Sequence, residues 1–317
     1  MKVIDHLKEA KGPLFSFELL PPLKGISIQS IFEGISPLMD FNPKFINVTY
    51  HREEYLYKTL PGGYLQKYAI RKRPGTVSIC AAIQNKFRVD TVPHLICGGF
   101  TKEETENALI DLQFLGIDNI LALRGDPIKT ESTFVPLENG HKYAVDLIGQ
   151  INNMNNGKFL HDEKYANVPT DFCIGAAGYP EKHFEALNLK TDMTHLKQKV
   201  DAGAEYIVTQ LFYDNQKYID FVNVCRENGI MVPIIPGIKP ITNLKHIKFI
   251  PKTFHVDFPE ELSDALLRCK TDAEVKEVGI EWGIKQSREL IAAGAPCLHF
   301  YTMGKADDVK AIAKAVL

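Results

Sequence analysis

No stretch of this sequence approaches the roughly 20 apolar residues that a membrane-spanning helix needs. The amino-terminal MKVIDHLKEAKG is charged throughout and has no apolar core of signal-peptide length. The expected location is therefore the cytoplasm, with no membrane partner. Nor does either sign of charge prevail: Lys+Arg 37 against Asp+Glu 39 leaves a formal charge of -2, which offers no field for gathering nucleic acid. The six cysteines, at 80, 97, 173, 225, 269 and 297, stand singly, without the close pairs that bind zinc or make a redox dithiol. Most lie in apolar runs, where cysteine acts as a small hydrophobe, so all six are expected to be reduced and structural. No tight histidine and carboxylate cluster suggests a metal. The dinucleotide fingerprint G-x-G-x-x-G is also missing after the first strand-like run, which leads instead into Pro21-Pro22. That disfavours an open doubly wound sheet.

What is present is a repeated unit. Four times an amphipathic stretch ends in glycine and a strand-like run follows: LQFLG before NILALRG, VDAG before YIVTQLFY, CRENG before MVPIIPGI, and LIAAG before CLHFYTM. Glycine just past a helix adopts the left-handed cap without a Cβ penalty, so each unit reads as helix, tight turn, strand. Four further runs complete eight strands: 14–20, 45–50, 93–97 and 172–180. Helical stretches at 27–39, 76–87, 101–115, 142–154, 192–202, 215–228 and 274–293 separate the strands, and a last helix spans KADDVKAIAKAVL. Hydrophobic content of 45% supports one large core. The pattern predicts an α/β fold, a single (β/α)8 TIM barrel forming one catalytic domain over 1–317, with a polar surface excursion at about 155–170.

In such a barrel ligands bind at the carboxyl ends of the strands. Those ends carry Glu18, Thr49, His94, Arg124 with Asp126, Tyr179 with His183, Gln210, Lys239, and Tyr301 with Lys305. The apolar run Asn119–Leu123 stopping at Arg124-Gly125-Asp126 reads as a buried strand delivering charge to a site. Glu18 sits in FSFELLPP, whose apolar neighbours strip water from a carboxyl group and favour its neutral, proton-donating form. The other reading is a structural ion pair with a nearby Arg or Lys. Gly125 permits close approach of a ligand to the backbone beside Asp126. Lys239 invites an imine-forming, lyase-like reading, or is a solvated loop residue before Pro240. Thr49 and Gln210 are open to a second reading as satisfied polar groups of the rim, and His94, His183 and His195 are too dispersed to indicate a metal.

Taken in order, FSFELLPP, VTY, PHLIC, ALRGD, KYAVDLI, AAGYPEKH, VDAGAEYIVTQLFYD, PIIPGIKPI and HFYTMGK resemble the methylenetetrahydrofolate reductases, in their short bacterial type without a regulatory domain. The resemblance covers nearly the whole chain. It implies noncovalent FAD at the barrel mouth, NADH or NADPH as electron donor, and ping-pong hydride transfer through FAD to methylenetetrahydrofolate. The product is methyltetrahydrofolate, the methyl donor for methionine synthesis. It also implies that Glu18 protonates the folate nitrogen that leaves as the methylene bridge opens, and that Asp126 stabilises the resulting cation and tunes the flavin. By the same resemblance Thr49, His94, Arg124, Gly125, Asp126, Tyr143, Ala144, Tyr179, His183, Asp192 and Lys199 line the FAD site. Gln210, Tyr301 and Lys305 contact the folate or the nicotinamide. A homo-oligomer is expected, since relatives assemble as dimers or tetramers.

The chain departs from the family pattern in three places. His51-Arg52-Glu53-Glu54 replaces a glycine-containing loop, His195 and Gln198 stand where relatives offer an amide and an arginine to FAD, and Lys305 replaces an arginine and its bidentate fork. Beside a reductase, two other functions remain open: a flavin- or folate-binding barrel that takes electrons from a partner protein, and a lyase using Lys239. The clustered cysteines that an iron-sulfur partner segment would bring are absent from the sequence.

Overall fold

The computed structural model describes residues 1–128, 131–161, 168–304 and 306–317. In chain order its elements are α1 (Val3–Glu9), β1 (Leu14–Leu19), α2 (Ile28–Met39), β2 (Phe45–Val48), β3 (Glu54–Thr59), β4 (Leu65–Arg71), α3 (Thr76–Phe87) and β5 (Asp90–Ile96). There follow α4 (Lys102–Phe114), β6 (Asn119–Leu123), α5 (Ala144–Asn155), β7 (Cys173–Gly178), α6 (Leu189–Asp201), β8 (Tyr206–Thr209) and α7 (Asn215–Glu227). The last are β9 (Ile234–Ile235), β10 (Gly237–Ile238), α8 (Leu244–Phe254), α9 (Glu260–Arg268), α10 (Asp272–Ala292), β11 (Cys297–Tyr301) and α11 (Asp307–Val316).

The parallel sheet runs β10-β11-β1-β2-β5-β6-β7-β8-β9. Its two ends are the two halves of one strand. β9 pairs with β8 and β10 with β11, and only Pro236 separates them, so the ring closes through an interrupted seventh strand. Proline has no N–H to give to a ladder, which explains the break. The Pro236 carbonyl still accepts from His299 N at 3.2 Å, and Gly237 N donates to Thr209 Oγ1 at 3.0 Å. The expected eight-stranded α/β barrel is thus the observed one, with all eight strand segments where the sequence put them. The four glycines after helices, Gly116, Gly203, Gly229 and Gly294, all have positive φ, from 66° to 126°.

The barrel has two apolar layers. Outward side chains such as Phe17, Ile46, Ile120, Ile174, Ile207 and Phe300 meet the ring of helices in the main core. Inward ones, including Phe45, Val92, Leu121, Cys173, Tyr206, Val208 and Ile235, fill the bore. Gly175 makes room for Tyr206 there: a Cβ on Gly175 would stand 2.3 Å from the tyrosine Cζ. All six cysteines are free thiols and five are buried.

Three features were not expected. Helix α1 plugs the amino-terminal end of the bore, with Val3 fully buried among the inward residues. Val3 N donates to Asn119 Oδ1 at 2.8 Å, Asn119 Nδ2 returns to Met1 O at 2.9 Å, and the terminal ammonium meets Asp90 at 2.8 Å. The loop after β2 grows into an antiparallel hairpin, β3 and β4, turned at Pro61-Gly62-Gly63. Helices α8 and α9 are inserted in the chain between the seventh strand and α10, and their Ile250, Leu262 and Leu266 join Ile241 and Val275 in a satellite core. The excursion is pinned at both described ends: Leu160 N donates to Glu106, and Thr170 bonds Met154 O and Asn155. Residues 162–167 of it lie outside the described residues.

Candidate active site

The mouth is built by alternation. In β1 the residues Phe15, Phe17 and Leu19 face the helices, which turns Ser16 and Glu18 into the bore. The same rule sends Asn47 and Thr49 inward from β2, His94 from β5, and His299 and Tyr301 from β11. The Glu18 side chain is 12% exposed and His94 is 6% exposed, with Glu18 Oε2 3.3 Å from His94 Nε2. Asn47 Nδ2 lies 3.3 Å from the same ring nitrogen. Burial pushes the Glu18 carboxyl up to about 8, against a downward pull from Lys239. Burial, helped by His299 and His51, pushes His94 down to about 3. Both side chains are therefore uncharged at neutral pH, and their 3.3 Å contact is one between neutral partners, not an ion pair.

Among the described residues Glu18 makes no ion pair with an Arg or Lys; its side-chain contact is the neutral imidazole of His94, while Lys239 pulls on its charge. Nor is Lys239 a solvated loop residue. It is 7% exposed, and Tyr213 Oη donates to its carbonyl at 3.0 Å. Deeper in the bore, Ser16 Oγ contacts His299 Nδ1 at 2.8 Å and Cys297 Sγ at 3.2 Å.

A second cluster forms beyond β7. His183 stands edge-on to Tyr179 with ring centroids 4.6 Å apart, and its backbone N–H donates to the buried Asp192 at 2.9 Å. Lys199, reaching in from α6, donates to Ala177 O at 2.7 Å and lies 6.0 Å from the Tyr179 ring. Burial lowers its amine to about 8, with Asp192 pulling upward. Arg124, at the end of β6, grips both carboxylate oxygens of Glu185, one at 2.9 Å, and packs 5.2 Å from the Phe134 ring. Gly125 follows with φ 82°, a conformation that L side chains rarely adopt. Asp126 is exposed on the rim and its charge reaches Tyr179 and Arg124. Tyr179 and Glu18 both act on the buried Tyr301 hydroxyl, so the two clusters belong to one mouth.

The remaining expected residues lie around this mouth with less commitment. Tyr143 is half exposed at the start of α5, its N–H donating to Asp146 at 3.0 Å, and Ala144 opens the helix. Gln210 N bonds Gly178 O, and its side-chain oxygen accepts from the next residue, Leu211 N, at 2.9 Å. Tyr301 Oη donates to Thr209 O at 2.6 Å. Among the described residues the buried Thr49 hydroxyl has no partner. Lys305 lies outside the described residues. His195 and Gln198 are exposed on α6. In place of the glycine-containing loop, Arg52 forms a bidentate clasp with Glu131 at 3.0 and 3.3 Å, across the rim.

Three contributors escaped the sequence reading. Asn47 sits two residues before Thr49 on the same strand, so alternation alone would have found it. Glu185 follows His183 by two, but nothing local marks its pairing with Arg124. Thr209 enters through its backbone oxygen and hydroxyl, which no side-chain inventory captures.

Fold and mouth define a (β/α)8 barrel whose ligand end is organised around a buried, neutral glutamic acid and a cationic second cluster. The sequence matches the family Methylenetetrahydrofolate reductase over residues 2–316, and the chain belongs to that family. It is 32% identical over 312 residues to the 5,10-methylenetetrahydrofolate reductase of Salmonella typhimurium, covering 97% of this chain and 92% of that protein. The Escherichia coli protein of the same name is 31% identical over the same shares. Methylenetetrahydrofolate reductase (NADH) 1 of Arabidopsis thaliana is 36% identical over 316 residues, covering 96% of this chain but 48% of the plant protein. The chain thus spans about half the length of its plant relatives. Among solved structures, a Clostridium thermocellum protein that binds two copies of 5-methyl-5,6,7,8-tetrahydrofolic acid shares the fold at TM-score 0.57 and 14% identity, covering 99% and 98% of the two chains.

Proposed function

We propose that this chain, as one catalytic domain, is a methylenetetrahydrofolate reductase that uses noncovalent FAD and NADH or NADPH. The observation that carries the reading is Glu18: a carboxyl group in the ligand mouth that burial keeps protonated at neutral pH. A neutral acid there is what opening the methylene bridge requires, because the departing nitrogen must leave with a proton.

The second cluster supports a bound flavin. Among the described residues the buried Thr49 hydroxyl has no partner and the Lys199 amine bonds a backbone carbonyl, while the Arg124 fork holds the Glu185 carboxylate in bidentate fashion. Those donors fit the polar and pyrophosphate parts of FAD. Bound there, the flavin supplies the hydride carriage between nicotinamide and folate. His183 is locked by Asp192 and Tyr179, and Gly125 brings bare backbone to the rim. Tyr143 and Ala144, at the start of α5, are assigned to the same flavin.

The residues then divide the work. Glu18 gives its proton to the folate nitrogen as the carbon-nitrogen bond breaks, and that nitrogen keeps the electron pair. Asp126 stands as the counter-charge for the cation left on the methylene carbon. His94, uncharged itself, orients the acid without taking its proton permanently. Gln210, Tyr301 and Lys305 are assigned to the folate and nicotinamide. The imine reading of Lys239 loses ground, since an amine lowered only to about 8 is still mostly ammonium at pH 7.

The test is an anaerobic absorption experiment on protein supplied with FAD. Bound flavin that bleaches with NADH or NADPH and recolours with methylenetetrahydrofolate supports the reading. Protein that takes up no flavin, or that accepts electrons only from a protein carrier, contradicts it.

A further inference from the structure

Glu18, Tyr301 and Lys239 lie in one row on the inner face of three neighbouring strands. β11 aligns Tyr301 with Glu18 of β1 and Phe300 with Ile238 of β10. Lys239, next after Ile238, is therefore level with Tyr301. Ile238 and Phe300 are packed in the outer core, so alternation turns Lys239 and Tyr301 toward the mouth. Lys239 is 7% exposed, and among the described residues its ammonium makes no hydrogen bond or ion pair; its carbonyl alone is bonded, by Tyr213. A buried cation left unpaired is costly unless something it faces becomes an anion.

The surroundings narrow what that is. Tyr301 has committed its hydroxyl to Thr209 O, and burial holds it un-ionised. His94, from β5, is neutral. Asp308, from α11, also attracts Lys239 but is already paired with Lys276 at 2.5 Å. Glu18 is left, and each group pulls the other toward its charged form while burial opposes both.

We propose that the Lys239 ammonium is the counter-cation of the carboxylate that Glu18 becomes when it gives up its proton. This rests on reading Glu18 as the acid of the folate step. In that step the Glu18 O–H bond breaks, an N–H bond forms on the departing nitrogen, and a negative charge grows on Glu18 in a mouth with little water. Nothing is oxidised in this step. Before it, the carboxyl is neutral and Lys239 gains little from it; during it, the attraction rises. An interaction that strengthens only as charge develops lowers the barrier without tightening substrate binding. Lys239 acts on the reaction only through Glu18.

The test compares Lys239→Met and Lys239→Arg with the unaltered enzyme, following folate reduction against pH and NAD(P)H-driven flavin bleaching separately. For Lys239→Met, folate reduction falls about tenfold at pH 7, and its alkaline limb moves up by about one unit or more. Lys239→Arg keeps the cation and holds the limb near its original place. Bleaching is unchanged in both, which shows that they fold. A Lys239→Met limb at the original pH, or loss of both half-reactions together, overturns the proposal. If the unaltered enzyme itself fails to reduce the folate, the functional reading falls and takes this one with it.

Discussion

Glu18 and His94 meet at 3.3 Å inside the barrel mouth, and at neutral pH neither carries a charge. An acid and a base at this distance ordinarily share a proton as an ion pair. Here burial opposes both ionisations, raising the carboxyl and lowering the imidazole, so the proton stays on the carboxyl. The rate of folate reduction should therefore hold across pH 6 to 7 and fall as pH rises through about 8, where Glu18 loses its proton. A steady-state profile checks this. A limb near 4.5, the ordinary glutamate value, would mean that Glu18 is not protonated in the working enzyme.

The same burial makes Glu18 a cost to stability. Its folded-state pKa lies above the unfolded one, so its favourable contribution is complete below about 4.5 and is lost as pH rises toward 8. Glu18→Gln removes that loss. The variant should melt above the unaltered protein at pH 8, by a margin that shrinks to nothing near pH 4.5. Thermal melts at the two pH values measure it, and an equal margin at both would show that Glu18 is not desolvated.

Glu185 occupies the fork of Arg124. An anionic ligand that uses Arg124 must displace it, and a partly exposed pair of this kind is worth about 0–1 kcal/mol. Glu185→Ala should tighten FAD a few-fold, while Arg124→Ala should weaken it. Flavin titration by fluorescence quenching distinguishes these. Unchanged affinity in both variants would remove Arg124 from the flavin site.

Gly175 and Tyr206 share the bore at a distance that leaves no room for a methyl group. Gly175→Ala should destabilise the fold by about 1–3 kcal/mol, the usual cost of overpacking a tight core. Gly175→Ala combined with Tyr206→Phe should recover part of that loss, because among the described residues the buried tyrosine hydroxyl has no partner. Urea melts provide the comparison.

The barrel was legible because its signals are local: glycine caps after amphipathic helices and strands apolar on both faces. Rim residues such as Glu18, His94 and Tyr301 were legible because strand ends converge on one mouth. What escaped depends on packing between distant segments. Helix α1 reads like any charged amino terminus until Val3 is seen in the bore, and its anchor is Asn119, over a hundred residues away. The hairpin was hidden because Leu56, Tyr57, Tyr64 and Leu65 are exposed, so the period-2 pattern of a half-buried strand is blurred. The Arg124–Glu185 pair joins two loops that only the closed ring brings together. Lys239 was visible as a residue, but whether it was solvated or buried depended on how the ring closes at Pro236.

The most direct test of the account is rapid-mixing absorption of Glu18→Gln, with each half-reaction followed separately. Glutamine keeps the size and hydrogen-bonding capacity of the protonated acid but has no proton to give. Flavin bleaching by NADH or NADPH should proceed at nearly its original rate, while recolouring by methylenetetrahydrofolate should slow by about 100-fold or more. Recolouring at the original rate, or both half-reactions falling together, would contradict the role given to Glu18.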